Sequence, residues 1–225
     1  MNNIVAEKQW ISQKLSIPYE NLSKSYLRAE TLLGTNSVIK FNLQKSQVSN
    51  PLVTENLLNL NDQFVITDLT IGLKQISNTA TPTATQQLTA QVQTYADPQV
   101  FTGTNAANAG AIYGGYLNFT INRREFLPSF SMRSFLRVPT SQTGAFLKTA
   151  GTSGTPAATF SGNTGLNGFE APLYGFSKME PTLIDGRMTL DISVNLNASI
   201  AFADANNNLY TVFELRGYLV VNSKN

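Results

Sequence analysis

The sequence contains no histidine and no cysteine among its 225 residues. These absences exclude serine–histidine and cysteine–histidine nucleophile pairs, metal sites built from imidazole or thiolate, and disulfide bonds. Charged residues make up only 13% of the chain, about half of the usual fraction, so Asn, Gln, Ser and Thr must supply most of the polar surface. Most familiar enzyme mechanisms are therefore excluded.

The chain also lacks long hydrophobic runs and a strong net charge. No apolar stretch approaches the roughly 20 residues that a membrane-spanning helix needs, and the N-terminal residues do not form the pattern of a signal peptide. A net charge of +2 leaves little driving force for coating nucleic acid by counterion release. We therefore expect synthesis in a cytoplasm and no strong direct binding to nucleic acid.

Hydrophobic residues make up 42% of the chain, which is enough to form a sizeable core. Near the N-terminus, Ile4, Ile11 and Leu15 recur at helical spacing, which predicts a short helix over residues 3–15. Pro18 interrupts this pattern. We interpret residues 1–34 as a partly helical N-terminal arm and residues 35–225 as one β domain.

From Ser37 onward the apolar residues alternate with polar ones, which indicates half-buried strands. The clearest stretch begins at Met188, where even-numbered residues as far as Phe202 present one apolar face. Asp185-Gly186 just before it predicts a tight hairpin with positive φ. Strands are predicted near residues 37–43, 63–76, 87–94, 113–122, 130–138, 173–184, 187–203 and 208–222.

Long segments rich in Gly, Thr, Ala and Asn separate these strands: Ser77–Gln86, Thr102–Ala111 and, above all, Thr140–Gly168. Eight antiparallel strands with such loops favour a jelly-roll β-sandwich over an immunoglobulin-type sandwich. A compact double jelly roll, divided into about 35–130 and 131–225, is the alternative. The repeat of Gly115-Tyr116-Leu117 as Gly217-Tyr218-Leu219 is weak support for it.

Carboxylates are too scarce to suggest catalysis. Asp185 is explained by its turn and Asp191 by the polar face of its strand. The oxygens of Asp204–Asn208 are as typical of a turn as of a calcium site, and the spacing of an EF-hand loop is absent. We predict no enzyme activity, no metal site and no cofactor.

Two groups of residues are candidate contact sites. Trp10, Ile11 and Lys14 on the N-terminal helix would either pack beneath their own domain or contact another subunit or a membrane. Arg123, Arg124, Arg133 and Arg137, interleaved with Phe residues, form the only basic concentration. They would track phosphates beside stacking platforms, or face solvent or a neighbouring subunit while the Phe side chains enter the core.

Short motifs in a fixed order point to a known family. They are Phe64-Val65-Ile66-Thr67, Tyr95-Ala96-Asp97-Pro98 followed by Phe101, Tyr113 to Leu117, Phe135-Leu136-Arg137-Val138-Pro139, Leu183-Ile184-Asp185-Gly186-Arg187 and Gly217-Tyr218-Leu219-Val220. With these motifs the chain resembles jelly-roll capsid proteins of small, tailless icosahedral bacteriophages, some of which carry an internal membrane.

The resemblance implies a coat subunit that assembles with its own copies into trimeric or pentameric capsomers of a virion and contacts other capsid proteins. It also implies that the N-terminal arm ties neighbours together or touches an inner membrane. The alternative is a carbohydrate-binding or adhesive β-sandwich, such as a spike or fibre component. Such a module should place an exposed Trp or Tyr on a flat face near acidic residues.

Overall fold

A computed structural model describes most of the chain. The described residues are 2–77, 81–96, 100–101, 108–137, 146–149, 157–160, 176–202 and 206–221. Most of the predicted loops Thr102–Ala111 and Thr140–Gly168 lie outside them, as do Asp97, Pro98 and Asp204.

Antiparallel strands dominate the described part of the chain. In chain order they are β1 (Leu22–Leu32), β2 (Thr35–Phe41), β3 (Gln63–Ser77), β4 (Val92–Gln93), β5 (Tyr116–Ile121), β6 (Arg124–Ser131), β7 (Phe146–Thr149), β8 (Ala157–Phe160), β9 (Ser177–Asp185), β10 (Leu190–Ala201) and β11 (Asn207–Val220).

The strands form two main sheets. The five-stranded sheet has the order β1-β11-β3-β4, with β9 also paired to β3, and the four-stranded sheet has the order β2-β10-β5-β6. Strands β7 and β8 pair with each other. Setting aside the short β4, β7 and β8, the remaining strands pair in a nested way: first with last (β1–β11), then β2–β10, β3–β9 and β5–β6.

The two main sheets pack face to face around one core. Alternate residues of each strand point inward, and the Phe213 ring of β11 lies 5.2 Å from Phe41 of β2 and 6.2 Å from Phe119 of β5, measured between centroids. Ile192 and Val194 of β10 are fully buried in the same core. The predicted all-β antiparallel sandwich is therefore confirmed.

The two α-helices of the described residues lie outside the sandwich. Helix α1 spans Asn2–Leu15 and is followed by Ser16 in the left-handed region, with φ of 54°. Helix α2 spans Ala84–Thr89 and begins with a capping box in which Thr83 and Gln86 satisfy each other's backbone N–H groups. It takes up residues 87–89 of the strand predicted over 87–94, and within that range only β4 is a strand.

Four short 3₁₀ helices complete the described elements. They span Tyr19–Asn21, Lys45–Gln47, Ala109–Gly114 and Met132–Phe135. The last one follows directly on β6. The strand predicted over 130–138 therefore lies earlier in the chain, because residues 132–135 turn into this helix.

The sheet begins earlier than the sequence predicts. Residues 22–32, which we assigned to the arm, form β1 and pair with β11 along the whole strand. Leu27 and Ala29 face the core, while Leu22 is buried on the opposite side. Because both faces of β1 carry apolar residues, no clean alternation reveals it.

Each sheet draws strands from both halves of the chain. β1 and β3 pair with β11, and β2 and β5 pair with β10. Residues 35–130 and 131–225 therefore do not form separate sheets, and the double-barrel division does not describe this chain.

The predicted hairpin at Asp185-Gly186 is wrong. β9 and β10 flank this turn but belong to different sheets, so the turn carries the chain from one sheet to the other. The φ of Gly186 is outside the left-handed region, and a Cβ atom there would collide with the Asn59 carbonyl oxygen. The close approach of the Asn59 backbone, and not a positive φ, therefore explains why residue 186 is a glycine.

Candidate functional site

Helix α1 packs on the outer face of the five-stranded sheet. Ile11 is fully buried there and contributes to a second apolar cluster with Leu22, Val65, Tyr218 and Val220. Ile11, one of the predicted contact residues, therefore packs against its own domain.

A hydrogen bond from a buried hydroxyl group also connects α1 to the sheet. The Tyr218 hydroxyl donates a hydrogen bond of 2.9 Å to Oε2 of Glu7. Burial and this neighbouring carboxylate raise the pKa of Tyr218. The bond therefore joins the helix to the last strand of the chain.

The other two predicted contact residues on α1 differ in their surroundings. Trp10 is 50% exposed, and the Lys14 ammonium lies 5.1 Å from the centre of its ring. Lys14 also pairs with Glu180 of β9 at 2.5 Å, and this hydrogen bond lowers the pKa of Glu180. Trp10 alone of the three exposes a large apolar surface.

At the other end of the same sheet face lies a buried ionic cluster. Oε1 of Glu30 accepts hydrogen bonds from Nε of Arg28 at 2.9 Å and from the Thr54 hydroxyl at 2.7 Å. Oε2 of Glu30 pairs with the ammonium of Lys74, and both side chains are fully buried. Burial lowers the pKa of Lys74, although the Glu30 carboxylate opposes this effect.

The ionic cluster holds a loop segment against the sheet. One oxygen of Glu55 accepts from the Glu30 amide at 2.8 Å and the other from the Leu52 amide at 2.7 Å. Arg28 and Asn56 exchange two backbone hydrogen bonds of 2.8 and 3.0 Å. Residues 52–56 therefore cover this end of the sheet face, as α1 covers the opposite end.

Between α1 and residues 52–56 the sheet face is open. It forms a cleft of about 450 Å³ lined by Lys24, Ser25, Tyr26, Arg28, Glu214 and Arg216. We call it the β1 cleft. The Arg216 guanidinium lies 3.6 Å from the centre of the Phe176 ring, and its Nε is 3.3 Å from Glu214.

Two side chains of the β1 cleft remain available for a ligand. Tyr26 is 46% exposed, and neither its hydroxyl nor the Lys24 ammonium has a partner among the described residues. Arg28 and Arg216, by contrast, are paired with carboxylates of their own chain. The β1 cleft can thus offer one cation, one phenol and an aromatic surface.

The four predicted arginines do not form one patch. Arg123 and Arg124 lie at the turn between β5 and β6, where Asn122 and Arg123 have φ of 51° and 64°. Arg133 and Arg137 lie beyond the other end of β6, which an eight-residue strand places about 23 Å away. Phe135 is buried in the core, and Phe126 and Phe130 are partly buried and pack against it.

The described residues contain no group of three or more side chains suited to binding a metal ion. None of the described helices is both long enough and apolar enough to span a membrane. No protein-family model, curated protein or solved structure matches the chain.

Sequence reasoning did not single out the residues of the ionic cluster or the β1 cleft. One signal was present, because Lys74 lies in the long, mostly apolar stretch from Phe64 to Ile76, where Asp68 is the only other charged residue. A lysine in a strand with two buried faces requires a buried counter-charge. Glu30 could not be named as that partner, because β1 itself was not predicted.

Proposed function

We propose that this protein is a jelly-roll coat subunit that assembles with its own copies into the shell of a virion. The observation that carries the proposal is the nested pairing of the eight main strands, from β1–β11 to β5–β6. This pairing distributes the strands over two four-stranded layers, β1-β11-β3-β9 and β2-β10-β5-β6. It is the arrangement expected of a jelly roll, which viral capsid proteins commonly use.

The chemistry of the chain narrows the choice among jelly-roll proteins. Cupins and lectins share this architecture with capsid proteins. A chain without histidine cannot supply the imidazole ligands that suit a transition-metal centre. Together with the order of motifs noted in the sequence, this favours a structural role.

The surface provides features that contacts between subunits could use. Trp10 projects from α1 with half of its surface exposed, and Trp is enriched at interface hot spots. We propose that Trp10 contacts a neighbouring subunit, another capsid protein or the surface of an internal membrane. Trimeric or pentameric capsomers would follow if such heterologous contacts close into rings.

Light scattering coupled to size exclusion, followed by electron microscopy of large species, tests this function. We expect discrete trimers, pentamers or shells from the purified protein. A monomer at every protein and salt concentration would contradict the coat role.

A second candidate function, carbohydrate binding, is favoured by one observation. The β1 cleft places an exposed Tyr26 beside Arg28 and Glu214, and an aromatic ring next to planar charged groups suits sugar C–H faces and hydroxyls. A glycan array would test it. Binding that is lost in Tyr26→Ala and kept in Tyr19→Ala, which alters an exposed tyrosine outside the cleft, would support this function.

A further inference from the structure

The backbone of β1 has an open edge beside the β1 cleft. Arg28 exchanges its backbone hydrogen bonds with Asn56, so its N–H and C=O groups point away from β11. In an antiparallel pair this direction alternates along the strand. The backbone groups of Leu22, Lys24 and Tyr26 therefore point to the same open side, since the register of β1 with β11 is continuous.

Internal hydrogen bonds limit this edge at both ends. The Leu22 amide donates to the Tyr19 carbonyl, and the Tyr26 carbonyl accepts from Nδ2 of Asn56 at 2.5 Å. Between these two bonds lie the Leu22 carbonyl, the amide and carbonyl of Lys24, and the Tyr26 amide. None of these four groups has a partner among the described residues, and such a row of unpaired backbone groups is a template for pairing with another chain.

Two other edge strands, β6 and β9, are interrupted by proline, and the open part of β1 is not. β6 contains Pro128 and, beside it, Ser129 with φ of 48°, and β9 contains Pro181. Prolines and irregular backbone are the usual means of preventing unwanted strand addition. The part of β1 from Leu22 to Tyr26 has neither proline nor a register shift.

We infer that this edge is a docking slot for an extended segment of about five residues from a second copy of the chain, added antiparallel to β1. The inference rests on the proposed self-assembly. The residue opposite Lys24 would form two backbone hydrogen bonds with it. The residues opposite Leu22 and Tyr26 would form one each, which uses all four unpaired groups.

Side chains around the slot define the segment that fits. An acidic side chain opposite Lys24 would meet its unpartnered ammonium at the rim of the β1 cleft. Ser23 and Ser25 are small and lie on the other face of β1, which leaves room for apolar neighbours of that acid. The docked segment therefore has an acidic residue between two apolar ones.

The Lys24→Pro and Lys24→Ala variants test the slot. Proline removes the Lys24 amide, which has no internal partner, and its ring obstructs the incoming strand. Lys24→Ala removes the same side chain but keeps the amide. We expect Lys24→Pro to melt at the wild-type temperature and to lose assembly, and Lys24→Ala to assemble within about threefold of the wild-type threshold concentration.

Amide hydrogen exchange on the unmodified protein gives an independent measurement. We expect the Lys24 and Tyr26 amides to exchange at least about tenfold more slowly in assembled particles than in dissociated subunits. Fast exchange in the particles, or wild-type assembly by a folded Lys24→Pro, would overturn the slot and leave the coat role standing. A wild-type chain that never assembles would overturn both.

Discussion

Two buried threonines differ in whether the hydroxyl group has a partner. The Thr67 hydroxyl lies 2.7 Å from the Asp68 carboxylate, whereas the Thr211 hydroxyl is buried without a partner among the described residues. Thr211→Val should raise the free energy of unfolding by about 1 kcal/mol, because valine has the same shape and no polar atom to satisfy. Thr67→Val should lower it by about 1 kcal/mol. Urea denaturation measures both changes, and equal effects of the two variants would contradict the explanation.

The buried pair of Glu30 and Lys74 should respond asymmetrically to mutation. Glu30→Gln leaves Lys74 and Arg28 without their shared carboxylate. Removing one partner of a buried ion pair in this way should lower the free energy of unfolding by about 3–5 kcal/mol. Lys74→Met leaves Glu30 bonded to Arg28 and Thr54, so we expect a smaller loss. Urea denaturation of both variants provides the comparison. An equal or larger loss in Lys74→Met would show that the ammonium, not the carboxylate, holds the cluster together.

The lowered pKa of Lys74 predicts a pH dependence of stability. The unfolded chain holds the Lys74 proton up to about pH 10.4, whereas burial lowers the pKa in the folded chain. Between these two pKa values the unfolded state binds more protons, so the free energy of unfolding rises with pH.

Urea denaturation from about pH 7 to about pH 10 should therefore show the wild type gaining stability relative to Lys74→Met, by at most about 1.4 kcal/mol per pH unit. Tyr113, Tyr210 and Tyr218, whose pKa values burial raises, lose their protons in the unfolded chain only near pH 10, so they contribute little below that pH. Parallel pH profiles would contradict the buried ammonium.

At the scale of elements, the sequence predicts strands well where apolar residues are frequent along the strand. β3, β10 and β11 lie close to their predicted bounds, and β3 does so although both of its faces are buried. β1 was not predicted because Ser23, Ser25 and Thr31 occupy positions on its core-facing side, where only Leu27 and Ala29 are apolar. The ionic cluster and the β1 cleft were missed with it, since both depend on β1.

Local signals identify local structure but not which sheet a strand joins. Thr83-Ala84-Thr85-Gln86 forms a capping box at the start of α2, a local signal that our prediction of a strand over 87–94 did not use. Asp185-Gly186 marks a turn just as clearly, yet β9 pairs with β3 and β10 with β2. Those partners lie far away in the chain, so the order of strands follows from nonlocal packing.

The repeated Gly-Tyr-Leu tripeptide has an explanation in strand packing. A Cβ atom on Gly217 would collide with the Val65 carbonyl, and one on Gly115 would lie 2.5 Å from the Asn195 carbonyl. Both glycines therefore allow close approach of a neighbouring strand. The repeat reflects this shared requirement and does not mark a duplicated barrel.

Gly217→Ala should consequently be severely destabilising, by about 3 kcal/mol or more, because the obstructing atom belongs to the backbone of a central strand. Gly34→Ala is the matched control, since no atom lies within 4 Å of the added Cβ. We expect the free energy of unfolding of this control to stay within about 0.5 kcal/mol of the wild-type value. Thermal and urea denaturation measure the stability of both variants. A loss of stability in Gly217→Ala as small as that in Gly34→Ala would mean that β3 and β11 can move apart.

At the scale of the whole molecule, the nested pairing brings the two ends of the described chain together. β1 pairs with β11, and the Val221 amide donates to the Asn21 carbonyl at 2.8 Å. The sandwich therefore cannot close until its first and last strands meet. Such nonlocal pairing predicts slow folding compared with helical proteins of similar size.

This closure distinguishes two truncations of the N-terminus. Removal of residues 1–20 deletes α1 but keeps β1, so the sandwich should remain folded, with lower stability because Val65 and Val220 lose their cover. Removal of residues 1–30 also deletes most of β1 and exposes a long edge of β11, and we expect aggregation or unfolding. Far-UV circular dichroism and size exclusion distinguish these states.

If the shorter truncation is folded yet fails to assemble, α1 and Trp10 contribute to contacts between subunits. If it assembles with unchanged geometry, the helix serves only its own domain.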